Sequence, residues 1–162
     1  MRHILSALVE NKPGVLAHIA GLFSARGFNI ESLAVGETET PRFSRMVIVT
    51  VGDDDVLEQI RKQLGKIIDV VKVVDLSGAD YIERDLALLK INAPPAKRTE
   101  LFELVRVFRG SVVDVGPREI IAQMVGPESK IQAFIDVVKP YGLKEMVRSG
   151  RIAIKRSESN SG

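Results

Sequence analysis

The chain has 162 residues, 45% of them hydrophobic and 27% charged, and 23 Lys and Arg against 21 Asp and Glu give a net charge of +2. The absence of cysteine excludes disulfides, thiolate metal sites and a cysteine nucleophile, and the scattered basic residues argue against a nucleic-acid partner. The apolar stretch in 1–11 is too short for a signal peptide or a membrane helix, so we expect a soluble cytoplasmic protein.

Apolar residues in the first half of the chain alternate between the spacing of strands and the spacing of helices. Pro13 and Gly14 separate a first strand from a helix, Gly27 is suited to end that helix, and the aspartates 53–55 are placed to cap a second helix rather than to bind a metal. The predicted elements are strand 3–10, a helix with Val15, Ile19, Leu22 and Phe23 inward, strands 31–36 and 45–51, a helix with Val56, Leu57, Ile60 and Leu64 inward, and strand 69–76.

The same order recurs after a predicted linker at 77–83. The second series comprises strand 86–93, a helix with Leu101, Leu104, Val105 and Phe108 inward that Gly110 ends, strands 111–115 and 119–125, a helix with Ile131, Phe134, Ile135 and Val138 inward, and a last strand or hairpin at 143–154. We therefore predict an α+β protein of two ferredoxin-like βαββαβ sandwiches, at 1–76 and 84–156. The Ser- and Gly-bearing tail 157–162 is expected to be disordered.

Two dipeptide matches set the alignment of this internal repeat. Arg26-Gly27 and Arg109-Gly110 lie 83 residues apart, which aligns 5–9 with 88–92, whereas Val51-Gly52 and Val125-Gly126 lie 74 apart. Strands 46–49 and 69–71 carry apolar residues on both faces. Because a sheet with helices on one face has a second face or an edge to cover, we predict a homodimer formed by sheet extension or stacking.

No catalytic arrangement is found in the sequence. It has no G-x-G dinucleotide loop and no phosphate-binding loop, and neither histidine neighbours a triad. We interpret His3 as a polar residue at a strand edge, His18 as a solvent-facing helical residue, and Lys97-Arg98 as a solvated helix face. An enzyme is therefore not expected.

The loop 11–16 is the one segment that suggests a ligand. Gly14, placed in the first helical turn, weakens a helix but lets a ligand approach backbone N–H groups, and a helix N-terminus suits a carboxylate. Asn11 and Asn29 offer donors and acceptors for an amino acid. Alternatively, Asn11 caps the helix and Asn29 lies in a turn. At an offset of 83, Asn11, Gly14 and Asn29 fall on Pro94, Lys97 and Val112, so the second unit lacks these features, which favours a ligand site in the first unit alone.

The stretch RHILSALVENKPGVLAHIAGLFSARGFNIESLAV resembles the N-terminal ACT domain of the regulatory small subunit of acetolactate synthase (acetohydroxyacid synthase). The resemblance extends through SRMVIVTVGDDDVLEQIRKQL to ELVRVFRGSVVDVGP and VRSGRIAI, and RGFNIESLAV is specific to this family. It implies a non-catalytic chain in branched-chain amino acid biosynthesis. Its partner is a large subunit that carries thiamine diphosphate, FAD and Mg²⁺ and condenses two pyruvates, or pyruvate with 2-oxobutyrate.

The resemblance also implies activation of the large subunit and feedback inhibition by valine. The family's effector site lies between the loop entering the first helix of one subunit and the second strand of another. Carried over, it comprises Asn11, Gly14, Val15, Leu16, Asn29 and Ile30, and no role is assigned to Lys12 or Pro13. An alternative is a free-standing amino-acid sensor acting on another partner, which would share the loop 11–16 but need not keep the RGFNIESL stretch.

Overall fold

The computed structural model describes residues 1–158, in which the predicted βαββαβ order occurs twice, with eight strands and four helices, and a ninth strand follows. Both sheets are antiparallel, which confirms the α+β class and the repeat. Among the described residues, one structural unit comprises Met1–Ile82 with residues 151–158, and the other comprises Glu83–Gly150. Of the tail predicted to be disordered, residues 159–162 lie outside the described residues.

In the first unit, two helices cover one face of a four-stranded sheet with the order β2-β3-β1-β4. The elements are β1 (Arg2–Glu10), α1 (Val15–Ala25), β2 (Asn29–Glu37), β3 (Phe43–Val51), α2 (Asp54–Gly65) and β4 (Val70–Asp75). The core contains Leu5 and Ala7 of β1, Ile19 and Phe23 of α1, and Ile60 of α2. β2 is an edge strand, since it pairs with β3 alone on this path.

The second unit has the same arrangement, with the sheet order β6-β7-β5-β8. Its elements are β5 (Tyr81–Asn92), α3 (Pro95–Val107), β6 (Ser111–Val115), β7 (Glu119–Gly126), α4 (Glu128–Gly142) and β8 (Leu143–Arg148), and β9 (Ile152–Lys155) follows. The predicted last strand or hairpin is thus two strands, each paired with β5. All four residues predicted to face inward from α4 are buried.

Local signals fix the ends of the first two helices. α1 lies between Gly14 and Gly27, whose φ angles of 87° and 69° are in the left-handed region that glycine adopts most readily. The carboxylate of Asp53 accepts a hydrogen bond from the N–H of Val56 at 2.9 Å, which confirms the predicted cap of α2. Within residues 1–158 there is no group of three or more His, Cys, Asp or Glu side chains that could hold a metal.

The two units align at an offset of 82, so the sequence alignment at 83 is wrong by one residue. Leu5, Ala7 and Val9 of β1 are buried like Ala87, Leu89 and Ile91 of β5. The offset of 83 instead matches Leu5 to Leu88, which is 39% exposed, because a slip of one residue moves a strand side chain to the opposite face.

The error comes from the residues that follow the helices. After α1 the left-handed residue is Gly27, but after α3 it is Arg109, with φ 58°, and not Gly110 as predicted. Gly110 has a different reason to be glycine, since an added Cβ would lie 2.8 Å from the carbonyl oxygen of Gln123. The matching Arg-Gly dipeptides therefore occupy positions that differ by one residue.

The second face of the first sheet is covered in part by the chain itself. Ile4, Val47, Val49 and Leu76 are buried there, and Tyr81 and Ala153 pack against them. The chain itself therefore covers this patch, and the homodimer by sheet extension or stacking stays a prediction. The physical reason for this cover is that the chain returns to this unit after Gly150, which no local pattern indicates.

The predicted domain boundaries of 1–76, 77–83 and 84–156 differ from the structural units at two places. β5 begins at Tyr81, inside the predicted linker, and β9 groups with the first unit although it lies in the predicted second domain. The start of β5 was predicted too late because its first residues mix polar and apolar side chains and lack the clear apolar pattern of a strand. Across residues 1–158, none of the helices has the length and apolar character needed to cross a membrane.

Candidate functional site

The loop between β1 and α1 ends in a helix N-terminus that no side chain caps. Gly14 is the N-cap residue, and the first intrahelical bond runs from the N–H of His18 to the carbonyl of Gly14. The N–H groups of Leu16 and Ala17 precede that bond, so intrahelical hydrogen bonding leaves them available. No acidic residue occupies the first turn, and a helix start of this kind favours an anionic group.

The role of Gly14 differs from the predicted one. It lies before the helix rather than inside its first turn, and its φ of 87° accounts for glycine without reference to a ligand. A Cβ added at Gly14 would meet no protein atom within 4 Å, so the space beside this residue is open. A ligand or a longer side chain therefore has room here.

Val15 and Leu16 lie on different sides of α1. Val15 is buried in the core, so its side chain is unavailable to a ligand. Leu16 is 45% exposed and lies next to the free end of the helix. Of these two predicted site residues, only Leu16 presents an apolar side chain at the surface.

The side chain of Asn11 joins the β1–α1 loop to the end of β2. Its Nδ2 donates to Oε1 of Glu37 at 3.0 Å and to the carbonyl of Pro41 at 3.2 Å. Its backbone N–H donates to the carbonyl of Arg42 at 2.8 Å. The alternative in which Asn11 caps the helix is wrong, because the cap position belongs to Gly14.

A second tie fixes the same loops. Nε and Nη2 of Arg42 donate to the two carboxylate oxygens of Glu10 at 3.3 and 3.1 Å. This hydrogen-bonded guanidinium lowers the pKa of Glu10 below its ordinary value of 4.5. The carboxylate of Glu10 is therefore ionised at neutral pH, and it anchors the β2–β3 loop beside Asn11.

Asn29 and Ile30 lie at the opposite end of the sheet from Asn11. Asn29 is the first residue of β2 and faces Val51, which pairs with Arg2, whereas Glu10 pairs with Phe43. The two ends are about eight residues apart along β1, or roughly 25 Å. A single copy of the chain thus divides the six predicted residues into two groups that cannot contact one ligand.

The surroundings of Asn29 also decide its local role. Its carbonyl accepts a hydrogen bond from Oγ1 of Thr50 at 2.7 Å, and it lies in a strand, so the alternative of a turn is wrong. Ile30 is partly buried against the first core.

At the corrected offset of 82, Asn11, Gly14 and Asn29 match Ala93, Ala96 and Ser111, so the second unit still lacks these site features.

Two other predictions about polar residues are corrected. His3 is buried, with 3% exposure, and its Nε2 lies 3.2 Å from the carbonyl oxygen of Gly52, so it is not at an exposed strand edge. Arg98 is partly buried and donates to the carbonyls of Ala93 and Gly116 at 3.0 and 2.7 Å, so it is not simply solvated. His18 is exposed, as predicted.

Comparison with known proteins decides the family. Residues 5–72 match a family model described as the AHAS small subunit-like ACT domain, and residues 84–157 match one described as the small subunit of acetolactate synthase. The chain belongs to the acetolactate synthase small-subunit family. Its similarity to individual members of the family extends over nearly the whole chain.

A probable acetolactate synthase small subunit from Archaeoglobus fulgidus is 51% identical, over 96% of this chain and 98% of the relative. The acetolactate synthase small subunit from Haemophilus influenzae is 49% identical over 99% of both chains. The crystal structure of this small subunit from Thermotoga maritima has a TM-score of 0.90 at 42% identity, covering 98% of this chain and 99% of that one.

Membership of the acetolactate synthase small-subunit family gives the coarse function. The chain is a regulatory subunit that works with the catalytic subunit of acetolactate synthase, an enzyme of branched-chain amino acid biosynthesis. Residues 5–72 form its ACT domain. Sequence reasoning did not single out Glu37, Pro41 or Arg42, which fix the loop of Asn11, because their contact with it depends on closure of the β2–β3 hairpin.

Proposed function

We propose that this chain activates the acetolactate synthase large subunit and makes it sensitive to valine, which binds between two copies of the ACT domain. The proposed site contains Asn11, Gly14, Val15 and Leu16 of one copy and Asn29 and Ile30 of the other. Val15 contributes its backbone only, since its side chain is in the core. Thiamine diphosphate, FAD and Mg²⁺ are assigned to the large subunit, where the condensation takes place.

The observation that carries this proposal is the division of the predicted residues between the two ends of an edge strand. β2 begins with Asn29 and ends with Glu37, which is hydrogen-bonded to Asn11. If the β2 strands of two copies pair antiparallel across a two-fold axis, the start of one lies beside the end of the other. That pairing brings Asn29 and Ile30 of one copy to Asn11 of the second.

The chemistry at the helix start fits the polar part of an amino acid. The N–H groups of Leu16 and Ala17 suit its carboxylate, and the open space at Gly14 admits it. The side chains of Leu16 and Ile30 offer apolar surface to an isopropyl group. A pocket of this kind separates valine from alanine by roughly 1–3 kcal/mol per methylene, and from leucine or isoleucine less strongly.

Regulation follows from the position of the ligand. A ligand that bridges two copies binds only one relative arrangement of them, so it shifts the population towards that arrangement. Coupling to catalysis requires that the large subunit also prefers one arrangement. Valine and the active large subunit then favour different states of the small-subunit dimer.

The test is reconstitution with the catalytic subunit of the same organism, assayed for acetolactate with and without L-valine. We expect the chain to raise the activity and valine to reverse that increase. Gly14→Asp should retain activation and lose the response to valine, because it places negative charge at the carboxylate position. Gly14→Ala is the matched control, since it adds a Cβ at the same position, where φ is 87°, without adding a charge.

Each outcome separates the proposals. A Gly14→Asp variant as sensitive to valine as Gly14→Ala contradicts the proposed site. Activation without valine sensitivity in the wild type contradicts the effector. A chain that leaves the large subunit unchanged contradicts the whole proposal and favours the alternative of a free-standing amino-acid sensor.

A further inference from the structure

The amide of Asn11 is held in one orientation by its two neighbours. A carboxylate and a backbone carbonyl can only accept hydrogen bonds, so Glu37 and Pro41 both require the NH₂ group of Asn11. These two bonds use both hydrogens of Nδ2. The group that Asn11 has left for a ligand is therefore Oδ1, which is an acceptor.

This orientation separates acceptors from donors around the open space at Gly14. Oδ1 of Asn11 and the carboxylate of Glu37 accept, whereas the N–H groups at the start of α1 donate. The neighbouring cations are engaged elsewhere, since Lys12 lies 3.5 Å from Asp69 and Arg42 pairs with Glu10. The acceptor side of the loop thus carries a negative charge that suits an ammonium group.

Glu37 combines two features that bear on such a ligand. Its Oε1 holds Asn11, while its Oε2 has no hydrogen-bond partner among the described residues. Glu37 is exposed and is the last residue of β2. In the proposed dimer, β2 of the second copy brings its Asn29 to this end of the strand. The carboxylate of Glu37 therefore lies at the proposed junction between the two copies.

We infer that Glu37 is the residue that recognises the ammonium group of the effector, both directly and by fixing Oδ1 of Asn11. This inference rests on the proposed function and names the residue that makes the effector site specific for an amino acid. The substrates that the large subunit is expected to use are 2-oxo acids, which have the carboxylate of an amino acid but no ammonium. Recognition of the ammonium lets the regulatory site reject 2-oxo acids that share the side chain of the effector.

The experiment measures binding of L-valine and of its 2-oxo analogue, 3-methyl-2-oxobutanoate, to the full chain by calorimetry. Glu37→Gln keeps an acceptor for Asn11 but loses the charge, and Glu39→Gln removes a nearby exposed carboxylate as the matched control. A charge-assisted hydrogen bond to the ammonium predicts a rise in the Kd for valine of about tenfold or more in Glu37→Gln. Glu39→Gln should bind valine like the wild type.

The 2-oxo analogue distinguishes recognition from a structural effect. Loss of ammonium recognition weakens the binding of valine and leaves the binding of the analogue unchanged, so the ratio of the two affinities falls. Equal weakening of both ligands, or unchanged valine binding by Glu37→Gln, overturns the inference and leaves the proposed function in place. A wild-type chain that binds no valine overturns both.

Discussion

At the scale of single residues, the contact between Glu10 and Arg42 shows how one ion pair joins the β2–β3 loop to the end of β1. The pair joins the end of β1 to the loop before β3, next to the contacts of Asn11. The same loop is also held by the backbone N–H of Asn11, which donates to the carbonyl of Arg42. The contribution of the ion pair can be measured through its pH dependence.

Glu10→Gln should lower the free energy of unfolding at neutral pH, with a predictable dependence on acid. Arg42 lowers the pKa of Glu10 in the folded state, so the pair stabilises fully above the unfolded pKa and its contribution is lost as pH falls through the folded pKa. Urea titrations of both proteins should give a constant difference from neutral pH to about 4.5, and a shrinking one below it. A difference that persists in strong acid contradicts this origin.

At the scale of secondary-structure elements, the edge strands β2 and β6 occupy equivalent places in the two sheets but have different expected roles. Each is the last strand of its sheet, and each exposes a valine, Val35 at 46% and Val113 at 51%. An exposed edge strand is a template for pairing with another chain. The proposed function uses β2 only, because only the first unit has the features of the effector loop.

Val35→Lys should weaken both dimerisation and valine binding, because a charge on an edge strand opposes pairing with a second copy. Val113→Lys is matched in residue type and exposure, and it should leave valine binding as in the wild type. Sedimentation measures the dimer and calorimetry measures the ligand. Equal loss of valine binding in both variants, or none in Val35→Lys, speaks against a site formed by β2.

Periodicity was sufficient to predict most elements, and its failures have physical causes. The inward faces of α1 and α4 follow from spacing alone, since α1 buries residues four apart and α4 buries residues three and four apart. The repeat was misaligned because Arg109 adopts a left-handed backbone conformation without being glycine. Backbone strain of this kind is a property of the folded chain and leaves no mark in residue type.

The candidate site could be predicted in its parts but not in its geometry. The loop 11–16 stands out because glycine and asparagine precede an apolar helix. The separation of Asn29 from Asn11 is set by strand order, and the bond from Asn11 to Glu37 spans 26 residues. Both depend on long-range pairing, which neighbouring residues do not encode.

At the scale of the whole molecule, the first unit depends on a segment from the far end of the sequence. Ala153 packs on the cluster that contains Ile4 and Val49, and the N–H of Arg151 donates to Oγ of Ser32 at 2.9 Å. The N–H of Arg156 donates to the carbonyl of Asp80 at 2.9 Å. The family model that matches residues 84–157 thus includes β9, a strand that belongs to the same structural unit as the ACT domain.

Ending the chain after Gly150 should destabilise the first unit, because it uncovers the apolar patch under Ala153. Burial of such surface contributes about 25 cal/mol per Å², so we expect a loss of about 1–3 kcal/mol and increased binding of a hydrophobic dye. A chain that ends after Glu158 retains β9 and is the control. Unfolding is measured by hydrogen exchange in residues 1–82. If the shorter chain has the same free energy of unfolding as the control, the first unit does not depend on β9.

The late position of β9 has a consequence for synthesis on the ribosome. Domains generally fold in order as the chain emerges, N-terminal first. Here the first sheet can form once β4 has emerged, but the patch around Val47 and Val49 lacks the cover of Ala153 until that residue has also emerged. A nascent or prematurely terminated chain therefore exposes more apolar surface on its ACT domain than the longer chain does. Exposed apolar surface of this kind is what chaperones and proteases act on.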